Sequence, residues 1–145
     1  MITIRSSRPE DADRLFQIWR SAVAATHDFL KPEDLEFIST QVREAYLPAA
    51  SLHLAVDRDD RPLGFMGLDG DMIDTLFVDP DHHGRGVGRL LIGVARARGA
   101  PLRVDVNEQN TRAIGFYEKL GFRQTGRSPV DSAGMPYPLL HLSEA

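Results

Sequence analysis

The stretch HHGRGVGRLL, residues 82–91, places Gly84, Gly86 and Gly88 at alternate positions, with Arg85 and Arg89 beside them. An apolar run follows in which Val87, Leu90, Leu91 and Val94 recur at helical spacing. A glycine loop that opens a helix is suited to hold an anion, because the first helical turn carries N–H groups without intrahelical partners and the positive end of the dipole. Glycine lets a bulky phosphate reach those groups, and arginine adds charge from the rim. The same glycines would equally serve a tight turn with close helix packing. Spacing excludes two nucleotide signatures. No Gly-Lys pair occurs for a G-x-x-x-x-G-K-S/T loop, and G-x-G-x-G is not the dinucleotide pattern G-x-G-x-x-G. The chain has no cysteine, which removes disulfides, thiolate nucleophiles and zinc–thiolate sites. His82 and His83 are adjacent, with no further His or Cys nearby, and make a weak ligand set, so no metal is expected.

The elements that must carry this loop follow from periodicity. Residues 1–5 alternate as a short strand. A helix runs from Pro9 to near His27, with Leu15, Ile18, Trp19, Ala22 and Val23 on one face, and Glu10, Asp11 and Asp13 suit its N-terminus. A second helix starts at Pro32, buries Leu35, Ile38, Val42 and Tyr46, and is closed by Pro48. Residues 52–56, 63–68 and 72–78 read as strands, with Asp69-Gly70 a hairpin signal between the last two. After the glycine loop and its helix, residues 102–106 form another strand. Asn110 caps a helix carrying Ala113, Phe116, Tyr117 and Leu120, and Gly121 suits its end. Strands near 122–127 and 137–142 flank a final loop. The order β-α-α-β-β-β-α-β-α-β-β implies an α/β (α+β) fold, with a mixed sheet and helices on its faces.

At 145 residues the chain reads as one domain, 1–145, and its 42% hydrophobic content is that of a globular protein. A net charge of −4 argues against nucleic acid or an anionic membrane as a general partner. The N-terminal residues lack the pattern of a signal peptide, and no run is long and apolar enough to span a bilayer, so a cytoplasmic location is expected.

HGRGVG, residues 83–88, resembles the pyrophosphate-binding signature Gln/Arg-x-x-Gly-x-Gly/Ala of the GNAT (Gcn5-related N-acetyltransferase) family. LFVDPDHHGRGVGRLL resembles that family's strand–loop–helix unit, and NEQNTRAIGFYEKLGF, residues 107–122, resembles its second signature. THDFL (26–30), VNEQN (106–110) and PYPLL (136–140) are similar to a subgroup of small bacterial members. The resemblance covers the whole chain. His83 departs from the signature's Gln or Arg, which should weaken phosphate binding only modestly, since backbone N–H groups do most of the holding in this family.

The resemblance implies a GNAT fold: a mixed, mostly antiparallel sheet with helices on both faces and splayed central strands. It implies acetyl-CoA as cosubstrate and transfer of its acetyl group to an amine of a small molecule or protein. By position, the main chain of Leu76, Phe77 and Val78 would lie along the pantetheine, and His83, Gly84, Arg85, Gly86, Val87, Gly88 and Arg89 would form the pyrophosphate cradle. Asn110, a helix cap in its own right, would also contact the cofactor. Tyr117 would protonate the departing thiolate as general acid. Asp74 shares strand parity with Met72, Leu76 and Val78 and is a candidate general base. His27, at the end of the first helix, is another, since an unperturbed imidazole suits that work. Val130, Asp131, Met135 and Tyr137 could line the acceptor cleft. A non-catalytic acetyl-CoA-binding sensor is the alternative, and a toxin acetylating aminoacyl-tRNA is disfavoured by the acidic balance. Monomer and homodimer both remain open, as does the acceptor.

Overall fold

The computed structural model describes residues 1–144. Seven strands form one sheet: β1 (Thr3–Ser6), β2 (His53–Val56), β3 (Pro62–Asp69), β4 (Met72–Val78), β5 (Arg103–Asn107), β6 (Arg123–Ser128) and β7 (Leu139–Ser143). They lie in the order β1-β2-β3-β4-β5-β7-β6, and only the β4–β5 pair is parallel. The helices are α1 (Ala12–Thr26), α2 (Pro32–Gln41), α3 (Leu47–Ala49), α4 (Val87–Arg96) and α5 (Thr111–Lys119).

Alternation along the strands sends side chains to two cores. On one face, Leu15, Ile18, Trp19 and Val23 of α1 pack on Leu54, Val56 and Phe65. On the other, Val87, Leu91, Ile92 and Ala95 of α4 join Tyr117 of α5 against Ala55, Met66, Ile73, Val104 and Val106. Each large side chain buried in this way contributes about 1.5–3 kcal/mol. Helices therefore cover both faces, as the element order implied. The entry to α1 is pinned by Asp11. Its carboxylate accepts two hydrogen bonds from Arg5, both 2.9 Å, and one from the Arg8 N–H at 2.7 Å.

Three local readings need correction. Pro48 does not close the second helix. Having no N–H to donate, it follows a widened π-helical turn at Val42–Tyr46, in which Leu47 N–H reaches back to the Val42 carbonyl, and α3 continues beyond it. Leu35, Ile38, Val42 and Tyr46 do face the core, but only half-buried. Tyr137 precedes β7 instead of opening it, because it sits between Pro136 and Pro138, and proline cannot donate to a sheet ladder.

The third correction concerns the site. Gly67 pairs with Thr75, but Leu68 pairs with Ile73, so Asp74 is the extra residue of a β-bulge. The bulge breaks the period of two. Ile73 enters the same core as Leu76 and Val78, whereas Asp74 meets the Tyr46 hydroxyl on the α1–α2 side. The expected shared face of Asp74 with Leu76 and Val78 therefore does not exist. β4 and β5 pair only at Met72–Arg103 and Ile73–Val104, and past the bulge they diverge. The bulge is held tightly, since a Cβ on Gly67 would lie 2.6 Å from Tyr46 Oη and 2.8 Å from Thr75 Oγ1. Gly67→Ala is expected to lower stability by about 1–3 kcal/mol, read from a denaturant midpoint. An unchanged midpoint would mean that the bulge has slack.

Candidate active site

Where β4 leaves β5, a cleft of about 460 Å³ opens. Leu76, Phe77 and Val78 form one wall. Their backbone is bonded to β3 on one side, through pairs with Met66, Phe65 and Gly64, and has no pairing with β5 on the other. It is a strand edge left open inside the protein, where an extended ligand can hydrogen-bond as an added strand.

The glycine loop closes one end, and its glycines serve two purposes. Gly84 and Gly86 have φ of +81° and +79°, a left-handed conformation that a side chain disfavours, and the space a Cβ would occupy is open. Gly88 is different: a Cβ there would lie 2.9 Å from the Phe116 ring, so this glycine lets α4 approach α5. Gly86 caps α4 without any side-chain cap, so the N–H groups of the first turn have no helical partners, and Gly86, Val87, Gly88 and Arg89 all line the cleft. Asp79 fixes the corner leading to the loop. It accepts from the Asp81 N–H at 3.0 Å and from Arg14 at 2.7 Å. Burial alone would raise its pKa, but these donors hold it below the usual carboxylate range.

His83 lies in the cleft and its pKa is lowered, first by burial and then by the positive charge of Arg112, so the ring is neutral near pH 7. Positive charge is supplied instead by Arg89 and Arg112, both in the cleft wall. Arg85 is exposed and not part of that wall. Arg112 was missed in the sequence reading. Its signal was a cation in the first turn of α5, where the helix dipole disfavours one.

Asn110 and Tyr117 also line the cleft. Asn110 Oδ1 accepts the Ala113 N–H at 3.2 Å, so it is both cap and cleft residue. Tyr117 is buried between Phe116 and Phe122, with ring centroids at 5.1 and 5.2 Å. Burial pushes its phenol well above the ordinary value, and it stays protonated at any physiological pH.

His27 lines the same cleft from the end of α1. Its tautomer follows from its neighbour. The single proton of Thr26 Oγ1 goes to the Ala22 carbonyl at 2.8 Å, so the 2.7 Å contact with His27 Nδ1 requires Nδ1–H to donate. In the neutral ring Nε2 then carries the free lone pair. Burial lowers the pKa, which favours that neutral form. The ring packs on Phe29, and Phe29 on Tyr137, at 5.2 and 5.9 Å. Tyr137 ties the final loop to α2 by donating to Asp34 and accepting the Lys31 N–H at 3.1 Å. Asp131 is used inside that loop, accepting the Ala133 and Met135 N–H groups at 2.9 Å each. Val130 is exposed, and neither it, Met135 nor Tyr137 lines the cleft.

Asp74 belongs to a neighbouring cavity of about 460 Å³, walled by Trp19, Gln41, Val42, Ala45, Tyr46, Phe65 and Thr75. Its carboxylate accepts from Tyr46 Oη at 3.2 Å and has no cationic partner among the described residues. Tyr46 is itself pushed up to about 12, mainly by burial. The two cavities are walled by consecutive parts of β4, residues 74–75 and 76–78. No group of three or more metal-ligating side chains occurs among the described residues. No helix among them is long and apolar enough to cross a membrane.

Known proteins resemble this chain in sequence and in fold. Residues 49–124 match the model of the acetyltransferase (GNAT) domain. The chain is 50% identical over 143 residues to the peptidyl-lysine N-acetyltransferase YjaB of Escherichia coli, covering 99% of this chain and 97% of that protein. Against YjaB of Salmonella typhimurium it is 49% identical over 142 residues, covering 98% and 97%. The solution structure of apo-form YjaB from Escherichia coli superposes with a TM-score of 0.95 at 49% identity, over 100% of this chain and 98% of that one.

Proposed function

The chain belongs to the GNAT family and is an acetyl-CoA-dependent N-acetyltransferase, and from that premise we propose that its acceptor is the side-chain amine of lysine in a peptide or protein. Relatives of that specificity, about half identical along nearly the whole chain, support this acceptor. The observation that carries the mechanism is the convergence in one cleft of an open strand edge, a bare helix N-terminus and a buried, protonated phenol.

In this reading the backbone of Leu76, Phe77 and Val78 holds the pantetheine arm. The pyrophosphate rests on main-chain N–H groups from Gly84 to Arg89. Arg89 and Arg112 supply positive charge that neutral His83 does not, and Arg85 contributes only from the solvent side. Asn110 holds the start of α5 against the cofactor. His27 Nε2 takes a proton from the acceptor ammonium and the amine attacks the thioester carbonyl; the C–S bond then breaks as Tyr117 Oη gives its proton to the departing sulfur, and the second proton, shed by the new amide nitrogen, restores the phenol. Asp74 acts one step earlier. Its unneutralised carboxylate, beside Tyr46 and Trp19, draws the ammonium toward β4.

The two acceptor-side roles separate in kinetics. A base must be unprotonated, so kcat/KM should rise with pH through the His27 pKa. Because that pKa is lowered, the acid limb lies below the ordinary histidine range and activity is full at neutral pH. His27→Gln should remove this limb and lower kcat by about a hundredfold. Asp74→Asn should instead raise KM for a lysine peptide about tenfold with kcat nearly unchanged. A kcat loss in Asp74→Asn with a normal His27→Gln enzyme would reverse the assignments.

A further inference from the structure

Outside the cleft, three strands bring a serine, a histidine and an aspartate into one hydrogen-bonded line. We propose that Ser128, His141 and Asp105 form a second nucleophilic centre, which takes acyl groups from small activated esters onto Ser128 Oγ and releases them to water. His141 Nδ1 lies 2.6 Å from Asp105 Oδ1, and His141 Nε2 lies 2.7 Å from Ser128 Oγ. None of the three lines the acetyl-transfer cleft.

The arrangement is built by the sheet. Asp105 of β5 and His141 of β7 are direct register partners, and they face away from the core that buries Val104 and Val106. On the far side of β7, a bulge between Gln124 and Gly126 sets Gly126 opposite His141 and Ser128 opposite Leu139. A Cβ at position 126 would lie 3.3 Å from His141 Cδ2, so glycine there gives the ring its room. Ser128 is two residues further along β6 and hence on the same face.

The proton positions follow from the partners. A carboxylate only accepts, so Asp105 fixes the proton on Nδ1 and leaves the Nε2 lone pair toward the serine hydroxyl. Ser128 Oγ bonds to the acyl carbon as its proton passes to Nε2. The bond to the leaving oxygen breaks, and that oxygen departs, with the imidazolium proton available to it. Water then attacks the acyl-serine with the same histidine as base, giving the carboxylic acid and restoring Ser128. The His141 and Asp105 side chains are 36% and 35% exposed, and Ser128 lies in none of the described cavities. An open face stabilises a tetrahedral oxyanion poorly, which confines the centre to esters with easily departing groups, such as nitrophenyl acetate.

The test is labelling of the purified protein with a fluorophosphonate, located by peptide mass spectrometry, together with hydrolysis of p-nitrophenyl acetate. The expected result is one adduct, on Ser128, and ester hydrolysis lost in Ser128→Ala. His141→Ala and Asp105→Asn should slow labelling by about tenfold or more, while acetyl-CoA affinity stays that of the parent protein. Should His141→Ala fail to bind acetyl-CoA, the near-isosteric Asp105→Asn decides alone. No adduct on Ser128, or equal labelling rates in the parent protein and Asp105→Asn, would overturn the proposal.

Discussion

Gly86→Glu is expected to fold and to lose acetyl-CoA. The position has φ +79°, and nothing lies within 4 Å of the place a Cβ would take. A side chain therefore meets no steric wall and costs only the left-handed strain, about 1–2 kcal/mol. A carboxylate at the start of α4 would be welcome to the helix itself, by about 0.3–1 kcal/mol. The fold is thus spared. The same carboxylate would compete for the N–H groups that the pyrophosphate uses and would repel it. Affinity should fall at least about a hundredfold, some 2.7 kcal/mol, by calorimetric titration. Gly88→Ala should fail differently, by pushing on Phe116 and lowering the melting temperature. Parent-like binding by Gly86→Glu would remove the loop from the cofactor site.

Tyr117→Phe is expected to lower kcat by about 10²–10³ with acetyl-CoA affinity changed no more than about threefold. The ring keeps its packing against Phe116 and Phe122, so the substitution removes little beyond the hydroxyl. Burial keeps the phenol protonated, and burial would likewise raise the basicity of a thiolate formed beside it. Burial therefore shifts the donor and the acceptor of this proton in the same direction. Single-turnover rates from a loaded enzyme would isolate this step. An unchanged rate would mean that the sulfur is protonated by water and that Tyr117 only fills space.

Much of this site was legible because its signals are local. The alternating glycines, the Asn110 cap and Tyr117 one helical face later are each short-range patterns, and the structure brings them to one cleft. The layers of the fold followed from periods of two and 3.6 for the same reason. What escaped depends on breaks in those periods or on distant contacts. Asp74 was put on the wrong face because parity counting assumes an unbroken pleat, and the bulge shifts the register at that residue. The π-helical turn before Pro48 has no pattern of its own. The Tyr137 bonds to Asp34 and the Lys31 N–H join segments far apart in the chain, and the Ser128–His141–Asp105 line exists only once β5, β7 and β6 are side by side. Arg112 was readable from its place in the first turn of α5 but was not singled out.

The most direct measurement is mass spectrometry of a lysine-containing peptide, its N-terminus blocked, after incubation with the protein and acetyl-CoA. One added acetyl group on the lysine side chain is expected, with release of one CoA per acetyl transferred and loss of both in Tyr117→Phe and Gly86→Glu. Tight acetyl-CoA binding with no acetylated lysine in any of a set of such peptides would contradict the proposed transfer to lysine.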